Sequence, residues 1–167
     1  MNDLGYRHLL VDGYNVAFGW QLLRAVQAGA GPRAQARDAL TAQLHDFHGA
    51  SGLAVSLVFD GTGDQISAET PFGTDAFSVI YAPSDLGADG VIGRMVQASS
   101  QPGRLVVATA DRIIQGVAGA AGAGVWTPEA LQEQVTAAAR QVRGVRPPRR
   151  QPWPPRMDFP DFDAPGT

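Results

Sequence analysis

The chain has no cysteine, no lysine and no long apolar run. Without cysteine there is no disulfide framework, no zinc–thiolate site and no cysteine nucleophile, so any metal must be held by oxygen or imidazole. The apolar runs fall well short of the ~20 residues that cross a bilayer, and no basic segment precedes an apolar stretch near Met1. A protein of the cytoplasm without membrane contact is therefore expected. Neither a Gly-x-x-x-x-Gly-Lys loop nor a Gly-x-Gly-x-x-Gly fingerprint is present, which disfavours nucleotide cofactors. All thirteen cations are arginine.

The 167 residues are 44% hydrophobic and 17% charged, enough for one domain with a real core plus a tail. The net charge of −3 conceals an asymmetry. Residues 1–139 carry −6, residues 140–156 carry six arginines and no acid, and residues 157–167 add three aspartates. A basic segment on an acidic body suits a nucleic-acid partner better than broad polyanion binding. The run Arg140, Arg143, Arg146, Arg149 and Arg150 reads equally as an RNA or ribosome contact and as a solubilising tail.

His8–Asp12 reads as a buried strand that ends in an acid and enters a loop at Gly13. Leu22, Leu23 and Val26 recur at helical spacing, and Ala36, Leu40, Leu44 and Phe47 mark a second helix ending near Gly49. Leu53–Phe59, followed by Asp60-Gly61, repeats the pattern of strand, acid and glycine. A polar loop leads to a strand at Phe77–Tyr81, and a helix opens at Ala88-Asp89. Arg104–Thr109 is a further strand, with Asp111 beyond it. A short helix over Ile113–Val117, a last strand at Ala123–Trp126 and a closing helix from Thr127-Pro128 to about Val142 complete the order. Alternating strands and helices predict an α/β fold with a mostly parallel sheet of about five strands and helices on both faces. The domain is expected over residues 1–143, and the Arg/Pro-rich segment 144–167 is expected to be disordered or extended.

In an open parallel sheet the functional crevice lies outside the carboxyl ends of the strands. Asp12, Asp60 and Asp111 fall there, and Asp89 can face the same edge. Each alone also reads as a turn former or helix cap. Four carboxylates within a few ångströms repel one another unless a divalent cation neutralises them, and oxygen-only ligands suit Mg²⁺ or Mn²⁺. The chemistry that follows is metal-assisted phosphodiester hydrolysis. Around the acids, Tyr14 and Trp20 are candidates to stack a base, with core packing the competing reading for Trp20. Arg37 either grips a phosphate or pairs with Asp38, and Arg112 is the better phosphate contact. His45 and His48 read as a solvated helix face rather than a metal site.

Leu10-Val11-Asp12-Gly13-Tyr14-Asn15-Val16 resembles the signature that opens YacP-like NYN domains, a branch of the PIN-like nucleases. The likeness continues in order through Ala36-Arg37-Asp38, Val58-Phe59-Asp60-Gly61, Ala88-Asp89 and Ala108-Thr109-Ala110-Asp111-Arg112, covering about residues 8–142. It implies a PIN-like three-layer α/β/α sandwich and a divalent-metal-dependent endoribonuclease that cleaves messenger RNA on the ribosome. It places Asp12 and Asp89 as the main metal-binding acids, Asp60 and Asp111 as supporting acids, and Asn15 as the polar residue orienting the site. The chain departs from the pattern where Leu86-Gly87 and Gly90 flank Ala88-Asp89 and where Gly93 replaces an acid; Asp85 offers a shifted charge. Those departures motivate a second reading, a catalytically silent RNA- or ribosome-binding module. A small-molecule phosphohydrolase is a third, disfavoured by the absence of an Asp-x-Asp pair after the first strand. Oligomeric state is not legible.

Overall fold

In the computed structural model, residues 4–22 and 31–144 are described. The strands are β1 (His8–Asp12), β2 (Ala54–Asp60), β3 (Ser67–Glu69), β4 (Phe77–Ala82), β5 (Leu105–Ala108) and β6 (Gly124–Trp126). The helices are α1 (Gly13–Gly19), α2 (Pro32–Ser51), α3 (Gly87–Ala98), α4 (Arg112–Ala121) and α5 (Pro128–Gly144). They form one six-stranded sheet in the order β3-β4-β2-β1-β5-β6. Every pairing is parallel except β3 with β4.

Strands covered on both faces lose their polar alternation and become continuous apolar runs. In β1, Leu9, Leu10 and Val11 are all buried. Leu9 and Val11 join the core beneath α1, α2 and α5 through Val16, Leu40, Leu44 and Leu131. Leu10 joins the core beneath α3 and α4 through Val91, Ile92 and Ile114. A polar thread crosses the sheet where His8 Nε2 meets Ser56 Oγ at 2.8 Å and Ser56 Oγ meets Ser78 Oγ at 3.1 Å. Burial lowers the His8 pKa from its usual value.

Three expectations change. The chain enters helix α1 directly at Gly13, with no loop after Asp12. The reason is room: a Cβ at Gly13 would lie 2.3 Å from the buried Phe59 ring, so only glycine lets the backbone turn against β2. Leu22 packs on the core from a turn, while Leu23 and Val26 lie outside the described residues. The sheet also gains β3 within the loop that reads as polar, because its three residues are all exposed and carry no apolar signature. The closing helix begins as expected, with Thr127 Oγ1 accepting from the Ala130 amide at 3.1 Å. The segment from residue 145 onward, including Arg146, Arg149 and Arg150, lies outside the described residues. Among the described residues no helix is long and apolar enough to cross a membrane.

Candidate active site

Register sets the depth of each acid. Asp12 lies level with Val58, so Asp60 projects two residues further along β2, about 7 Å at the rise of a strand. Beyond the end of β5, Thr109 sits beside Asp12, and Asp111 follows two residues later.

Asp12 occupies the position before the first turn of α1, yet its carboxylate caps nothing in that helix. Its Oδ2 instead accepts from the buried Thr109 hydroxyl at 3.1 Å. That hydroxyl oxygen also accepts from the Asp111 amide at 3.0 Å. Burial raises the Asp12 pKa to about 6; the Thr109 hydrogen bond opposes the shift, and the charges of Asp60, Asp89 and Asp111 add to it. Among the described residues no basic group lowers it.

Asp60 and Asp111 are engaged elsewhere. Asp60 Oδ1 accepts from the Ala88 amide at 2.7 Å, at the start of α3. Asp111 Oδ1 accepts from the Ile113 and Ile114 amides at 2.8 and 3.3 Å, capping α4. Asp89 is exposed in the first turn of α3, and its Oδ1 accepts from the Gly90 amide at 2.9 Å. Asp60 and Asp89 converge on Gly87: a Cβ there would lie 2.8 Å from Asp89 Oδ1 and 3.4 Å from Asp60 Oδ1. With φ at +72°, Gly87 is required both by conformation and by space. Its role is not evident from the sequence, where the one signal is a glycine immediately before a helix that carries an acid in its first turn.

The four carboxylates expected at this edge share it, Asp60, Asp89 and Asp111 all lying near enough to raise the Asp12 pKa. Among the described residues no three acidic or imidazole side chains stand close enough to share one ion. The donor set still suits a hydrated hard cation, since Mg²⁺ keeps several waters and binds through one or two carboxylates completed by substrate phosphates. Asp12, half-buried among three further acids with no basic answer, supplies the uncompensated charge such an ion neutralises.

The remaining site candidates divide. Asn15 Oδ1 accepts from the Ala110 amide at 2.7 Å, tying α1 to the loop between β5 and α4. Trp20 is 8% exposed and its indole N–H donates to the Pro128 carbonyl at 2.7 Å, so it is a wall of the core and offers no base a free face. Tyr14 lies between the Phe59 ring, 4.8 Å away, and the Arg33 guanidinium, 5.3 Å from its centroid. Arg37 makes no ion pair with Asp38; its guanidinium stands 5.7 Å from the Tyr81 ring centre. Arg112 is exposed beside Asp111. His45 and His48 are not a solvated face: His45 stacks on Phe72 at 3.5 Å, and His48 Nδ1 bonds the Leu53 carbonyl at 2.6 Å.

Two departures from the resemblance are one change. A Cβ at Gly90 would lie 2.4 Å from Leu86 Cδ1, so the Leu86 side chain occupies the space an acid at 90 would need. Gly93 has open space around it. Asp85 lines a separate groove with Asp64, Pro83 and Arg94, and is not among the charges that raise the Asp12 pKa.

Comparison with known proteins gives a match to the family model of the YacP-like NYN domain over residues 9–152. No curated protein matches the sequence. Among the similar solved structures are two of Rae1 (YacP) from Bacillus subtilis, one of them a point mutant. The mutant aligns with a TM-score of 0.63 at 26% identity, covering 82% of this chain and 79% of that one. The other gives a TM-score of 0.62 at 26% identity, over 81% and 77%.

Proposed function

The chain belongs to the YacP-like NYN-domain family, a PIN-like nuclease family, and from that premise we propose that it is a divalent-metal-dependent endoribonuclease whose substrate is messenger RNA presented by the ribosome. The observation that carries this reading is Asp12: a half-buried carboxylate turned away from the helix it precedes, among three further acids and, of the described residues, no basic group that lowers its pKa.

Asp12 and Asp89 are the residues that would hold Mg²⁺ or Mn²⁺, with Asp60 converging on Asp89 at Gly87. A bound divalent ion supplies an activated water and neutralises charge on the phosphate oxygens. The chain's own residues fix the geometry. Thr109 orients the Asp12 carboxylate, Asn15 secures the neighbouring loop, and Asp111 holds α4 in place while adding negative potential. Arg112 stands at the same edge, positioned to contact a phosphate. The reading places the protein in the cytoplasm, with the domain over residues 1–143 and the arginine-rich segment beyond it as a further contact for RNA.

A second reading, a silent RNA- or ribosome-binding module, is favoured by the engagement of Asp60 and Asp111 as caps and by the Leu86–Gly90 packing. Calorimetry with Mn²⁺ on wild type and on Asp12→Asn with Asp89→Asn, alongside RNA cleavage with ribosomes present, separates the two. The nuclease reading requires saturable binding and cleavage that both vanish in the double variant while its melt stays cooperative. A folded wild type that neither binds Mn²⁺ nor cleaves, yet cosediments with ribosomes or binds RNA, establishes the silent module.

A further inference from the structure

Phe59, fully buried at the end of β2 beside Asp60, supports two tyrosines: Tyr14 with ring centres 4.8 Å apart and Tyr81 at 6.3 Å. Each tyrosine in turn carries an arginine, Arg33 over Tyr14 and Arg37 over Tyr81. The two arginines are four residues apart on α2 and therefore share a face. Neither has a carboxylate within ion-pair distance among the described residues. Asp38, Glu69 and Arg37 are all near enough to act on the Tyr81 phenol.

Two adjacent arginines that make no ion pair among the described residues, held on aromatic rings beside the acids, offer a place for an anion. Cation–π contact restricts a guanidinium without using its N–H donors, which stay available for phosphate oxygens. Each partly exposed tyrosine ring has a guanidinium over it, so the surface there presents guanidinium as well as tyrosine. Guanidinium planes serve single-stranded RNA both as phosphate ligands and as stacking surfaces.

We propose that Arg33 and Arg37, seated on Tyr14 and Tyr81, form the track that leads single-stranded RNA across the α2 side of the sheet edge to Asp12. The track rests on the nuclease reading and specifies the side from which substrate arrives. Arg112, on α4 across the edge, receives the strand beyond the acids.

The test uses the full-length chain carrying Asp12→Asn, which blocks cleavage and removes one repelling charge. Anisotropy of a fluorescein-labelled oligouridylate is titrated over a series of KCl concentrations. Adding Arg33→Ala and Arg37→Ala should weaken binding at least tenfold and flatten the slope of log affinity against log salt by about 1.4, roughly 0.7 for each phosphate that an arginine no longer neutralises. Arg33→Lys with Arg37→Lys should keep the slope and lose part of the affinity. A purely structural role would lower the melting temperature of the alanine variant and leave the slope unchanged. An unchanged slope, or no binding by the Asp12→Asn chain before any arginine is replaced, overturns the track. Cleavage by the wild type in the ribosome assay is read independently, so the track can fail while the nuclease reading stands.

Discussion

The β1–α1 and β5–α4 junctions begin from the same sequence idea, an apolar strand followed by an aspartate and a helix, and end in different chemistry. At β5–α4 the Asp111 carboxylate accepts two amides of the helix it precedes. At β1–α1 the Asp12 carboxylate accepts none of them and turns to Thr109 on the neighbouring strand's extension. Capping is the low-energy use of an aspartate at this position, since it satisfies orphan amides and complements the helix dipole. An aspartate that forgoes it is held by something else, and what holds Asp12 also leaves one of its oxygens free at the edge of the sheet. Position at a strand end therefore does not separate the two aspartates; the partner each carboxylate takes does.

The strongest way to break this contrast is Asp12→Asn. Cleavage should fall by at least about 10²-fold, the scale of losing a principal electrostatic group. Stability should move the other way. The folded pKa of about 6 exceeds the ordinary 3.8, so the contribution of Asp12 is fully present below about 3.8 and is lost as pH rises through 6. Above that window the ionised carboxylate is a burden that the amide removes. Thermal melts should show Asp12→Asn gaining over wild type at pH 8 and not at pH 4; equal melts at both would deny that Asp12 is strained.

Gly87→Ala comes next. An L side chain at φ +72° costs on the order of 1–3 kcal/mol, and its Cβ would push on Asp89. Lower stability together with weakened Mn²⁺ binding is expected, whereas a stability loss with unaltered binding would detach Gly87 from the site. Asp111→Ala should cost about 1 kcal/mol as a lost cap, and Asp111→Asn should recover most of it. If Asp111→Asn instead melts normally and loses cleavage as completely as Asp12→Asn, the two junctions are chemically alike after all. The smallest effect belongs to His8. Its lowered pKa makes it a group buried neutral, so its contribution is lost as pH falls below about 6.5. His8→Gln should flatten that acid limb without altering cleavage.

Four of the six strands are legible in the sequence because burial on both faces makes them predominantly apolar, and the short β6 is legible from its place between two helices. β3 is not, being wholly exposed, and neither is the abrupt start of α1, which depends on the Phe59 ring lying opposite Gly13. The identity and order of the acids at the edge can be read, since strand ends mark where a parallel sheet opens. Their separation cannot, because register between β1 and β2 is a property of pairs of strands. Trp20 shows the same limit: nothing local tells a ring at the end of a short helix that a carbonyl 108 residues away will claim its N–H.

The two margins of the sheet, β3 and β6, are each three residues long, and the outer one ends in Glu69. Free strand edges are the usual template for runaway pairing between copies of a protein. Here so little unpaired backbone remains, with a charge beside part of it, that strand-by-strand stacking into fibrils finds almost no purchase. Crowding of this protein in concentrated solution should therefore leave the sheet unextended.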